Sequence, residues 1–169
     1  MNDKSNAGCI EQNGSVSLRP ELPEDEAFLL DVYGSTRQEE LDLTGWNAAT
    51  REAFVKMQFN AMRQGYASMF PHGSFNVILL NQQPVGRMVI SRGDIEFRVV
   101  DMALLQAFRG RGIGTLLLGE LLAEAARAGK PVRLHVLKMS RATRLYERLG
   151  FLRVGEEGFY DHMEWRPAA

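Results

Sequence analysis

Residues 99–115 read Val99-Val100-Asp101-Met102-Ala103-Leu104-Leu105-Gln106-Ala107-Phe108-Arg109-Gly110-Arg111-Gly112-Ile113-Gly114-Thr115. An apolar run gives way to glycines at every second position, and Leu117, Leu118, Leu121, Leu122 and Ala125 then recur at helical spacing. The reading is strand, glycine turn, helix. Glycines let the backbone turn with its N–H groups pointing one way, and the helix adds its own unpaired N–H groups and the positive end of its dipole. That combination favours an anion, above all a pyrophosphate.

The spacing decides between phosphate ligands. A dinucleotide fingerprint starting at Gly110 needs a glycine at 115, where the chain has Thr115. A P-loop needs a lysine before its Ser/Thr, where Gly114 stands. The pattern that fits is Arg109-x-x-Gly112-x-Gly114. Further on, Arg144-Leu145-Tyr146-Glu147-Arg148-Leu149-Gly150-Phe151 has the spacing of a helix closed by a glycine.

In these two motifs, taken in this order, the chain resembles the GNAT superfamily of acetyl-CoA-dependent N-acyltransferases. The resemblance covers Phe75 to Trp165 in detail and the earlier part in outline. It implies an α/β fold: a central mixed, mostly antiparallel sheet with helices on both faces, in the order β-α-α-β-β-β-α-β-α-β-β.

The residues place these elements. Residues 1–14 are polar and read as a flexible leader, followed by a single domain over 15–169. Val16 to Arg19 alternates like a short strand, broken by Pro20 and Pro23. Phe28, Leu29, Val32 and Tyr33 predict a first helix from Glu24 to about Arg37, and the acidic run Glu39 to Thr44 reads as a link. Asn47 is a candidate N-cap for a second helix reaching Gln64 and ending near Gly65. Phe75–Leu80 and Val85–Ser91 form a hairpin, and Ile95–Leu105 is the long strand into the glycine loop. Gly129 and Pro131 stop the following helix, Val132–Leu137 is the next strand, and Phe151–Val154 with Tyr160–Trp165 make a final hairpin.

Composition bounds the function. The chain has 169 residues, enough for one domain with a real core. A net charge of −1 gives no footprint for non-specific nucleic-acid or membrane binding. The one cysteine, Cys9, excludes an intramolecular disulfide framework, and no Cys/His cluster has metal-ligand spacing, so no metal is expected. With no signal-peptide pattern, the expectation is a cytoplasmic protein.

The resemblance implies the chemistry. Acetyl-CoA is the cosubstrate and an amine, on a small molecule or a protein, the acceptor. N–H groups from Arg109 to Thr115, through Gly110, Arg111, Gly112, Ile113 and Gly114, hold the pyrophosphate, with charge from Arg109 or Arg111. The backbone of Met102, Ala103 and Leu104 runs beside the pantetheine. Tyr146 occupies the family's tyrosine position and is the candidate acid for the departing thiolate, since a tyrosine near pKa ~10 stays protonated at neutral pH.

Lys138-Met139-Ser140-Arg141 stands where many members carry an asparagine; Ser140 can cap the helix there. That departure leaves room for a CoA-binding sensor or assembly module without turnover, and a transferase of a longer acyl group is the other alternative. For the base, Asp101 ranks first. Glu96 is of opposite parity and is expected on the other side of the sheet. His135 is a weaker candidate for the base, and Glu39, Glu40 and Asp42, with Asp161 and His162, for an acceptor rim. Trp46 and Tyr66 are candidate acceptor contacts, and pairing of edge strands or of the C-terminal hairpin into a homodimer is implied.

Overall fold

A computed structural model describes residues 14–169, so the leader expected over 1–14 and its Cys9 lie, Gly14 apart, outside the described residues. The elements are β1 (Val16–Pro20), α1 (Glu26–Asp42), α2 (Ala48–Met69), β2 (Ser74–Leu80), β3 (Gln83–Arg92), β4 (Phe97–Leu104), α3 (Ile113–Ala128), β5 (Val132–Leu137), α4 (Ala142–Arg148), β6 (Leu152–Glu157) and β7 (Tyr160–Trp165). The sheet order is β1-β2-β3-β4-β5-β7-β6. Among the described residues only β4 and β5 run parallel, and the other neighbouring pairs are antiparallel.

Alternation along the strands fills two cores. On one face Ile78, Met88, Ile90, Phe97, Val99, Val132 and Leu134 meet Ile113, Leu117, Leu118 and Leu121 of α3, with Tyr146 of α4 and Phe151. On the other, Val77 and Leu79 meet Leu29 and Tyr33 of α1 and Val55 and Phe59 of α2. Helices therefore cover both faces. No helix among the described residues is long and apolar enough to cross a membrane.

Two helix boundaries differ from the sequence expectation. The acidic run after Arg37 continues α1 to Asp42, because Leu41 is a buried anchor and Arg51 ties the helix end, donating to the Leu41 carbonyl at 2.7 Å and to Asp42 at 2.9 Å. The second helix starts as expected, with the side-chain oxygen of Asn47 accepting from the Thr50 N–H at 2.9 Å. It then passes through Gly65 to Met69, since a single glycine costs only about 1 kcal/mol. That extra turn carries Tyr66.

Asp25 fastens β1 to the start of α1. Arg19 donates to both of its carboxylate oxygens, at 2.6 and 2.8 Å, and the Leu22 N–H adds a third bond at 2.8 Å. The Arg19 hydrogen bonds hold the Asp25 pKa down, at about 2. A depressed carboxylate pKa stabilises the fold above its unfolded value and loses that contribution as pH falls through the folded one. Asp25→Asn is expected to cost about 2 kcal/mol in urea unfolding at pH 7. The wild type should lose that advantage as pH falls from 3.8 toward 2; an equal loss at both pH values would refute the assignment.

Two irregularities of β4 open a gap in the sheet. Against β3, Asp101 pairs with Val89 and Val99 with Ile90, so Val100 is an extra, bulged residue. Against β5, pairing stops after three positions, Phe97 with Val132, Arg98 with Arg133 and Val99 with Leu134. From Val100 to Leu104 the β5 side of β4 has no strand partner among the described residues.

Candidate functional site

At the foot of β4 the chain makes one turn of 3₁₀-helix over Gln106–Phe108 and enters the glycine loop. Gly110 and Gly112 have φ of 72° and 83°, the left-handed region that glycine adopts at no steric cost. The first helical bond of α3 is from the Leu116 N–H to the Gly112 carbonyl, at 3.0 Å. Among the described residues, none of the N–H groups from Gly110 to Thr115 donates to a protein acceptor. Gly114 lets α3 approach closely: a Cβ there would lie 3.3 Å from Leu145 of α4 and 3.5 Å from the Met102 methyl.

Arg109 falls outside this cradle. Its N–H donates to the Gln106 carbonyl, and its guanidinium turns back, donating to the Leu104 carbonyl at 2.9 Å and reaching the Ser35 hydroxyl at 3.4 Å. Arg109 thus braces the end of β4 rather than adding charge to the loop, a correction to the sequence expectation. Arg111 lies over the Phe108 ring, 5.3 Å from its centroid, and is the arginine nearest the free N–H groups in sequence.

Met102, Ala103 and Leu104 pair with Met88, Arg87 and Gly86 on one side and face the gap on the other. The approach at Gly86 is close: a Cβ there would lie 2.3 Å from the Ala103 carbonyl oxygen. Tyr146 stands on α4, 7 % exposed, its ring edge-on to Phe151 at 5.7 Å. Burial, with the Asp101 charge second, pushes its pKa up to about 12. Ser140 opens α4, its hydroxyl accepting from the Ala142 N–H at 3.2 Å, and Met139 before it is fully exposed at φ 65°.

Across the sheet, on the α1–α2 face, Asp101 forms an ion pair with Arg87 of β3. Beside them a cavity of about 220 Å³ is lined by Glu21, Met62, Arg63, Tyr66, Phe75 and Arg87, among others. Burial raises the Tyr66 pKa to about 12, with the Asp101 charge adding to it. Burial also raises the Glu21 pKa, against the opposing charges of Arg87 and Arg63. The backbone aligns Glu21 with this row: its N–H donates to the Phe75 carbonyl at 2.9 Å, Phe75 pairs with Val89, and Val89 with Asp101.

Of the two aromatic candidates, Tyr66 lines the cavity and Trp46 does not; Trp46 packs edge-on against Phe54 at 5.1 Å. Glu96 and Asp101 share a face, contrary to the parity argument, because the Val100 bulge resets the alternation. Glu96 is held there by Arg98 at 3.1 Å and Arg133 at 2.6 Å. His135 stacks on His162, with ring centroids 3.9 Å apart, in a groove with Arg98, Arg133 and Arg166. Burial, His162 and Arg98 lower its pKa.

The acidic residues do not gather into a rim. Glu40 pairs with Arg37, Asp42 with Arg51 and Asp161 with Arg153. Sequence reasoning misses Glu21, which sits between Pro20 and Pro23 in an apparent strand break, and it gives Arg87 no place in the site. The alternation of Val85, Arg87 and Val89 on β3 is the available signal: an arginine on an otherwise apolar strand needs a buried partner.

Known proteins share this architecture. Residues 71–153 match the acetyltransferase (GNAT) domain model. No curated protein sequence matches the chain. Among solved structures, the PaiA N-acetyltransferase of Thermoplasma acidophilum in complex with coenzyme A is similar at a TM-score of 0.68 and 17 % identity, over 90 % of this chain and 99 % of that one. An acetyltransferase from Thermus thermophilus gives 0.66 and 20 %, over 91 % and 98 %. Ard1 from Thermoplasma volcanium gives 0.61 and 20 %, over 91 % and 99 %. The glycine loop, the parted strands and the Tyr146 helix all lie within residues 71–153, the part of the chain that matches the GNAT acetyltransferase domain.

Proposed function

We propose that the protein transfers an acetyl group from acetyl-CoA to a primary amine, directly, in a ternary complex. The observation that carries this reading is the run of free N–H groups from Gly110 to Thr115 at the head of α3, beside the unpaired edge of β4. Donors aimed one way at a helix N-terminus fit a pyrophosphate in charge and in hydrogen-bonding capacity. The 17 % identical PaiA structure holds coenzyme A, which supports the same cosubstrate here.

In this reading Gly110, Arg111, Gly112, Ile113, Gly114 and Thr115 bind the pyrophosphate. The free edge of Met102, Ala103 and Leu104 aligns the pantetheine arm and the thioester. Ser140 positions α4 by capping it, and Tyr66 contacts the acceptor. As the acceptor nitrogen forms its bond to the acetyl carbon, the carbon–sulfur bond breaks. Asp101, directly or through water, takes the proton from the amine, and Tyr146 gives its proton to the departing thiolate. A two-step route through an acyl-enzyme on sulfur would need a cysteine at one of the motifs, and the one cysteine of the sequence is Cys9.

Calorimetric titration with acetyl-CoA, with ATP and NAD as controls, tests the reading. Saturable binding near micromolar Kd, about 8 kcal/mol, is expected for acetyl-CoA alone. Gly112→Ala forces a side chain into the left-handed region at about 1–2 kcal/mol and should raise that Kd about tenfold. No binding by the folded wild-type protein would overturn the proposal.

A further inference from the structure

The cavity beside Asp101 has an electrical character that constrains what enters it. Arg87 is the decisive residue. Its side chain is only 4 % exposed and it lines the cavity. One of its terminal nitrogens is taken by Asp101 and lies 3.6 Å from the Met62 sulfur, yet its Nε is buried with no hydrogen-bond partner among the described residues. The protein thus leaves part of the hydrogen-bonding capacity of the Arg87 guanidinium unused.

A second guanidinium, that of Arg63, lines the same space. It is weakly held by protein, 3.9 Å from Glu26 and 5.3 Å above the centre of the Phe59 ring. Against these two cations stand Glu21, in no ion pair among the described residues, and Asp101, next to Arg87. The set is balanced, two positive and two negative. A polyamine would bring only cations toward Arg63 and Arg87, and a lysine side chain of a protein has no carboxylate to offer the two guanidiniums. At about 220 Å³ the cavity is also below the range of about 300–1,000 Å³ usual for drug-sized ligands.

The geometry points to an acceptor that is itself a small zwitterion, an amine bearing a carboxylate in the amino-acid size class. The Arg87 and Arg63 guanidiniums receive the carboxylate, and the amine lies toward Asp101 and the β4 edge. This rests on the acetyltransferase reading and names its substrate class. Met62, Phe75 and Val89 supply the apolar wall for a side chain.

The test measures acetyl transfer by the full chain from acetyl-CoA to matched acceptors. Lysine, lysinamide and cadaverine share their side-chain amine and differ at the carboxylate; the other common α-amino acids are paired with their amides in the same way. The best amino acid should exceed its amide and every diamine by at least about tenfold in kcat/KM, mainly through KM. Arg63→Gln and Arg87→Lys should each shrink that ratio; the first is a surface change that spares the fold. Amides or diamines acetylated as well as the amino acids, or a preference that survives both substitutions, would overturn the inference while leaving acetyl transfer intact. Acetyl-CoA binding with no amine of the panel acetylated would overturn it too. Failure to bind acetyl-CoA would instead remove the reading beneath it.

Discussion

Tyr146→Phe should lower kcat by at least about 100-fold with little change in acetyl-CoA affinity, the loss usual for removing a positioned acid. The phenylalanine keeps the ring packed edge-on to Phe151, so the fold should survive and calorimetric binding should be near normal. Only the proton source is removed. The wild-type pH profile gives a second readout. Because burial holds the Tyr146 pKa up to about 12, the hydroxyl keeps its proton well past the tyrosine value of 10.0, and kcat should not fall on the alkaline side until then. A variant that turns over at the wild-type rate would remove Tyr146 from the mechanism.

Gly86→Ala is expected to be the most damaging small substitution in the sheet. The added methyl would lie 2.3 Å from the Ala103 carbonyl oxygen and 2.8 Å from the Leu104 side chain, and the first contact is backbone, which cannot swing away. Strand β3 must then move from β4. A cost of about 3 kcal/mol is expected, lowering Tm by about 10 °C in calorimetry. Since Ala103 and Leu104 form the free edge beside the gap, acetyl-CoA affinity should fall as well. A variant with unchanged Tm and unchanged binding would show that the close approach is not needed.

The residues legible in the sequence are those whose role depends on the chain near them. The turn at Gly110–Gly114, the Asn47 cap and the glycine closing α4 are local, and each stands where the pattern puts it. The departures come from partners distant in sequence. Position in the chain assigns Arg109 to the loop, but its guanidinium is engaged by Leu104 and Ser35. Parity separates Glu96 from Asp101 because one inserted residue, Val100, is invisible until the register of β3 is known. Glu21 joins the site only through pairing with a residue more than fifty positions away, Phe75.

The early end of pairing between β4 and β5 also changes how many margins the sheet has. An ordinary open sheet has two rows of unpaired backbone groups, both outside and both open to strand addition from other chains. Here the outer rows are guarded by ordinary means: β1 is five residues long and ends in Pro20, and β6 carries Arg153, Glu156 and Glu157. The row that lacks a strand partner from Val100 to Leu104 lies inside the sheet, between β4 and β5, where a foreign strand has no outer edge to join. The chain thus carries a third backbone margin that, unlike the outer two, is not open to strand addition from another chain.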